Sequence, residues 1–137
     1  MKRVLFLCTG NSARSQMAEG FLRHMAGDRF EVYSAGIKPV GINPLAIKIM
    51  AEAGIDISKH RSKSVIEFID QNFDYVVTVC GNAQKTCPVF PGKHEKIHWD
   101  LEDPAAAEGS EEDKLKVFRK IRNDIKNNVL VFIKVYG

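Results

Sequence analysis

Long apolar runs are missing from this chain of 137 residues. None approaches the roughly 20 residues that cross a bilayer, so no transmembrane helix and no membrane partner are expected. Met1-Lys2-Arg3 followed by Val4-Leu5-Phe6-Leu7 has the outline of a signal peptide. Its apolar part is too short, and Thr9-Gly10-Asn11-Ser12 is polar. A buried first strand accounts for the run, and the cytoplasm is the expected location. A large excess of one charge is also missing. The 20 Lys and Arg against 17 Asp and Glu leave a net charge of +3, which suits an anionic small substrate. Nucleic-acid binding would need more basic charge and an aromatic platform, so no such partner is expected.

Cysteine is scarce. Cys8, Cys80 and Cys87 are an odd set of three, which argues against a disulfide scaffold. Six residues separate Cys80 from Cys87, too many for a compact zinc knuckle. Gly10 lacks partner glycines at dinucleotide-binding spacing, and no Walker A lysine follows it. No metal and no cofactor are expected. Three buried core cysteines remain the plain reading, though two of them flank turn-like polar segments.

What is present is an alternation of strands and helices. Val4–Leu7 is a short continuous apolar run ending at Cys8, the pattern of a buried parallel strand. Ala18, Phe21, Leu22 and Met25 then recur at helical spacing, and Gly27-Asp28 ends that helix. Glu31–Ala35 is a second strand, closed by Gly36. Asn43 caps a helix with Pro44 in its first turn and Leu45, Ile49 and Met50 as its stripe, stopped by Gly54. Phe68 and Ile69 belong to a short helix from about Ser64, and Tyr75–Val79 is a β-branched strand. A short helical segment ended by Pro88 follows, then a weak strand near Glu95–His98. From Ser110 a long helix buries Leu115, Phe118, Ile121, Ile125, Val129 and Phe132. Ser110-Glu111-Glu112-Asp113 reads as its capping box. The expected fold is α/β, one domain over 1–137, a three-layer sandwich around a central four-stranded parallel sheet. Ligands bind outside the carboxyl ends of such strands, where Cys8 and Cys80 both fall.

Cys8-Thr9-Gly10-Asn11-Ser12-Ala13-Arg14-Ser15 lies between strand and helix. Such a loop can turn successive N–H groups inward as an anion nest, with a helix start adding its positive end. Arg14 offers a planar, charged fork for an oxyanion, and that field favours a nucleophilic thiolate at Cys8. The same residues also fit a tight turn with a buried cysteine and a surface arginine.

Cys8 to Ser15 with Gln16-Met17-Ala18-Glu19 closely resembles the low-molecular-weight protein tyrosine phosphatase superfamily, and within it the thioredoxin-coupled arsenate reductases. Tyr33-Ser34-Ala35-Gly36, Asn43-Pro44, Gly54-Ile55-Asp56-Ile57-Ser58, Val77-Thr78-Val79-Cys80, Cys87-Pro88 and His98-Trp99 leading to Asp103-Pro104 extend the likeness along nearly the whole chain. The resemblance implies that Cys8 is the nucleophile, that residues 9–15 bind the oxyanion with Arg14 as its clamp, and that Asp103 protonates the leaving oxygen. By itself Asp103, in an acidic stretch with Glu102 and Glu108, reads as a cap or a solvated charge. The resemblance further implies a thiol–arsenate adduct on Cys8, a Cys8–Cys80 disulfide, then a Cys80–Cys87 disulfide open to thioredoxin. On a regular helix that last pair would be separated by ~10.5 Å of rise. A disulfide needs Cα atoms within roughly 7 Å, so the segment would have to bend or unwind.

Two departures stand out. Many relatives carry a second loop cysteine where this chain has Ala13. Some relatives bind a monovalent cation near the residues matching Asn11, Glu19 and Ser34, and where they have a further acidic residue this chain has Lys63. An ammonium there would take the cation's place beside Glu19. A competing reading is an aryl or tyrosine phosphatase using Cys8, Arg14 and Asp103 alone, although Ala105-Ala106-Ala107 gives a less aromatic rim than such enzymes favour. A non-enzymatic redox or oxyanion sensor is a third. A monomer is expected. His24, His60 and His94 are expected at the surface, His98-Trp99 in packing, and Lys114, Lys116, Arg119, Lys120 and Arg122 on a solvated helix face.

Overall fold

A computed structural model describes residues 1–79 and 90–137. The expected helical segment ending at Pro88, with Cys80 and Cys87, lies outside the described residues. Four strands, β1 (Lys2–Cys8), β2 (Phe30–Gly36), β3 (Tyr75–Thr78) and β4 (Glu95–His98), form one sheet in the order β2-β1-β3-β4. All its pairings are parallel. Helices α1 (Arg14–Ala26), α2 (Pro44–Glu52) and α3 (Glu111–Tyr136) flank it, with short 3₁₀ turns at Val65–Phe68 and Pro104–Ala106. β1 is a central strand, paired on both edges. Its last residue, Cys8, is in register with Gly36 at the end of β2. β1 begins two residues earlier than the apolar run suggests, and β3 stops at Thr78 rather than Val79.

Alternation along β1 sorts its side chains onto two faces. Val4, Phe6 and Cys8 join the cluster that holds α1, α2 and α3. Leu5 and Leu7 join Phe68, Phe73, Val76 and Phe90 on the other. On that second face Tyr33, Phe68, Phe73 and Phe90 pack edge to face or tilted, with centroids 5.5–6.1 Å apart. A strand buried on both faces has no room for polar residues until its end, which is why the polar loop begins only after Cys8.

The caps read from the sequence are present. Asn43 Oδ1 accepts from Leu45 N (2.9 Å). Ser110 and Asp113 exchange side-chain and backbone bonds, 3.1 Å each. Arg119 and Arg122 correct the expectation of a solvated face on α3. The Arg119 guanidinium grips both oxygens of Glu52 (3.0 and 2.9 Å), and Arg122 Nη1 donates to Ile49 O (2.9 Å). Together they join α3 to α2. Among the described residues no helix is long and apolar enough to cross a membrane.

Candidate active site

The loop between β1 and α1 is held from outside by its carbonyls. Thr9 O accepts from Lys38 N (2.9 Å), Gly10 O from Val40 N (3.1 Å), and Ser12 O from Asn43 N (3.0 Å). Asn11 O accepts from Ser62 Oγ (2.7 Å). In a planar trans peptide each N–H points opposite to the preceding C=O. Carbonyls 9 to 12 drawn outward therefore turn the amides of Gly10, Asn11, Ser12 and Ala13 inward. The Asn11 amide shows the result, donating to Cys8 Sγ at 3.1 Å. Ser15 Oγ lies 2.8 Å from the same sulfur. Cys8 is buried at 3% exposure, at the foot of this ring of donors and beside the first turn of α1, an arrangement suited to an anion.

Two residues make the tight geometry possible. Asn11 sits at φ 47°, in the left-handed region that asparagine tolerates better than most. Its side-chain amide is saturated and holds it there. Nδ2 donates to Ser15 Oγ (2.8 Å) and Ser34 Oγ (2.9 Å), while Oδ1 accepts from Gln16 Nε2 (2.8 Å) and Lys63 N (2.8 Å). Gly36 lets β2 end against the loop. A Cβ there would come within 2.6 Å of Thr9 O and 2.8 Å of Asn11 N.

Behind the loop lies a buried charge cluster. Glu19 accepts from Arg23 Nη1 (2.7 Å) and Ser34 Oγ (2.5 Å). Lys63 Nζ and His60 Nδ1 each stand 3.5 Å from its carboxylate. Asn11, Glu19, Ser34 and Lys63 are thus brought together. Burial pushes the Lys63 ammonium below its usual range, with Glu19 opposing. The same oxygens do not fit a monovalent cation. Those of Asn11 and Ser34 are committed to hydrogen bonds, and an ammonium already faces Glu19. Among the described residues no group of three His, Cys, Asp or Glu side chains could hold a metal.

His60 corrects its surface assignment. It is wedged between Glu19 and Gln16, with Nδ1 2.9 Å from Gln16 Oε1. Burial holds its pKa below the ordinary value, Glu19 acting against that and Arg23 and Lys63 with it. His94 also departs from the surface, burying Nε2 without a hydrogen-bond partner among the described residues. His24 and His98 are exposed, while Trp99 packs on Phe6 at 5.6 Å. Gln16, although inside the signature run, and His60 were missed as site residues because no spacing connects the two. His60 reaches Gln16 on α1 from 44 positions away.

Arg14 opens α1, and its side chain is 11% exposed. Nη1 donates to Leu101 O (2.9 Å), and Nη2 lies 3.9 Å from Asp103 Oδ2. Asp103 is half exposed and also accepts from Ala105 N (3.0 Å), so it is both a cap and a neighbour of the arginine. Cys8, Arg14 and Asp103 converge on one end of the sheet.

Residues 3–135 match the low molecular weight phosphotyrosine protein phosphatase family. An arsenate reductase of Halalkalibacterium halodurans is 49% identical over 131 residues, 96% of this chain and 94% of its own. A solved arsenate reductase in the phosphate binding state is 34% identical with a TM-score of 0.81, each chain fully covered. A thioredoxin-dependent arsenate reductase of Corynebacterium glutamicum is 31% identical with a TM-score of 0.64, covering 96% of this chain and 63% of that one. The chain therefore belongs to the low molecular weight phosphotyrosine protein phosphatase family.

Proposed function

We propose that this protein is an arsenate reductase that uses the phosphatase cradle to hold arsenate and a thiol relay to reduce it. The observation that carries the reading is the Asn11 amide donating to Cys8 Sγ in a loop whose carbonyls are drawn outward, with Arg14 at the start of the helix that follows. Relatives that are arsenate reductases, one of them 49% identical over nearly the whole chain, support the choice of oxyanion.

In this reading the Cys8 thiolate attacks arsenic, and one arsenic–oxygen bond breaks. Asp103 gives the departing oxygen a proton, and it leaves as water. The Cys80 thiolate then attacks Cys8 Sγ. A sulfur–sulfur bond forms, the sulfur–arsenic pair stays on arsenic, and arsenite leaves. Cys87 attacks Cys80 and frees the Cys8 thiolate. The dithiol of thioredoxin reduces the Cys80–Cys87 disulfide, supplying the two electrons that the reaction consumes. Such a relay belongs in a reducing compartment, the cytoplasm. Lys63 substitutes for a monovalent cation behind the loop, so turnover is independent of potassium.

The test uses Cys80→Ser and Cys87→Ser in an assay of NADPH oxidation with thioredoxin and thioredoxin reductase. Both variants should lose sustained arsenate turnover and keep cleavage of an aryl phosphate. Cys87→Ser should still release about one arsenite per enzyme and accumulate a Cys8–Cys80 disulfide. Multiple thioredoxin-driven turnovers by both variants would overturn the relay and favour the phosphatase reading.

A further inference from the structure

The segment from Trp99 to Pro104 is anchored by its apolar residues. Trp99 N donates to Thr78 O (2.8 Å) at the end of β3, and its ring packs on Phe6. Leu101 is 4% exposed and belongs to the same core cluster as Cys8, Ala13 and Phe6. Pro104 is buried. Between these anchors Glu102 and Asp103 face solvent. The carbonyl of Leu101 is thereby held by the core and receives Nη1 of Arg14. Among the described residues it is the only hydrogen-bond acceptor of that guanidinium, since Asp103 approaches only to 3.9 Å.

We propose that Leu101 is the positioning residue of the oxyanion clamp, its buried side chain fixing the carbonyl that orients the Arg14 guanidinium. This rests on the reading of Arg14 as the clamp. An arginine side chain has large rotamer freedom, and one that is free before binding loses it when the anion arrives. A guanidinium already seated on a fixed carbonyl has lost that freedom in the folded protein and keeps the rest of its five N–H groups for the anion. The anchor also lies two residues from Asp103, so one core-held segment sets both the clamp and the acid.

The experiment measures the Kd of inorganic phosphate by calorimetry, and Tm, for the wild type, Leu101→Ala, Leu101→Met, Arg14→Ala and the double variant Leu101→Ala/Arg14→Ala. Leu101→Ala should weaken phosphate about three- to tenfold, the scale of a side chain that must be ordered on binding. Leu101→Met, which refills the core, should restore binding. In the Arg14→Ala background Leu101→Ala should add nothing, because coupled sites are non-additive. An unchanged Kd with a lowered Tm would overturn the proposal, as would equal weakening with and without Arg14. If Arg14→Ala itself binds phosphate like the wild type, the clamp reading falls and the proposal with it. Should Leu101→Ala not fold, an amide-to-ester replacement between Leu101 and Glu102 weakens the carbonyl and leaves both side chains intact. Undiminished phosphate binding by that protein would overturn the proposal equally.

Discussion

The cradle loop and the acid segment meet at Arg14 but are built in opposite ways. In the cradle every carbonyl from Thr9 to Ser12 has a partner, and Asn11, Ser15 and Gln16 are fully buried. In the acid segment Leu101 and Pro104 are buried, while Asp103 is half exposed and its side chain makes one backbone hydrogen bond. The difference fits the proposed chemistry. An oxyanion site is effective when its dipoles are fixed before the anion arrives. An acid that must be reprotonated in each cycle needs water within reach.

The sharpest way to break this contrast is at its centre. Cys8→Ser should reduce both arsenate reduction and aryl phosphate cleavage to background, because a hydroxyl is a poor nucleophile there. Near wild-type turnover of either substrate would remove Cys8 from the mechanism. Next in size is Arg14→Lys, which keeps the charge and loses the fork. It should lower kcat/KM for arsenate by about 10²–10³. An unchanged value would move the clamp elsewhere.

The acid side should respond selectively. Asp103→Asn should slow esters with poor leaving groups by about a hundredfold and activated aryl phosphates only a few-fold. Equal slowing across the series would make Asp103 a cap and nothing more. Stability sharpens the same contrast. Asn11→Ala strands buried partners on Ser15, Ser34, Gln16 and Lys63 and should cost about 2–4 kcal/mol in urea unfolding. Asp103→Asn keeps the capping oxygen and should stay within about 0.5 kcal/mol. Similar losses at the two positions would show that the segments are not differently built.

The smallest effect concerns pH. Burial holds the folded pKa of His60 below its ordinary value of 6.5. Below that value the unfolded chain takes up the proton first. The contribution is therefore present above pH 6.5 and lost as pH falls toward the folded pKa. The wild-type urea midpoint should fall more between pH 7 and pH 5 than that of His60→Gln. His94 is shifted the same way, but it is present in both proteins and cancels. Identical slopes would place His60 outside the cluster in solution.

Much of the scaffold was legible because its signals are local. The apolar run at Val4–Leu7, the Asn43-Pro44 start, the Ser110–Asp113 box and the stripe from Leu115 to Phe132 each state their structure within a few residues. The loop from Cys8 to Ser15 was equally readable, since a polar turn between strand and helix carries its own geometry. Arg119 and Arg122 were misread for the opposite reason. Their partner Glu52 is 67 and 70 positions away, and a charged residue on a helix gives no local sign of it.

The order of residues by itself determined where the described strands and helices form and where the polar loop after β1 begins, because backbone preference and hydrophobic period act over a few neighbours. Only the tertiary structure decided that His60 and Lys63 stand behind Glu19, that Gln16 locks Asn11, and that the carbonyl of Leu101 receives Arg14. Those contacts join distant segments across a packed core. They are set by how the segments close on one another, which no short stretch of sequence records.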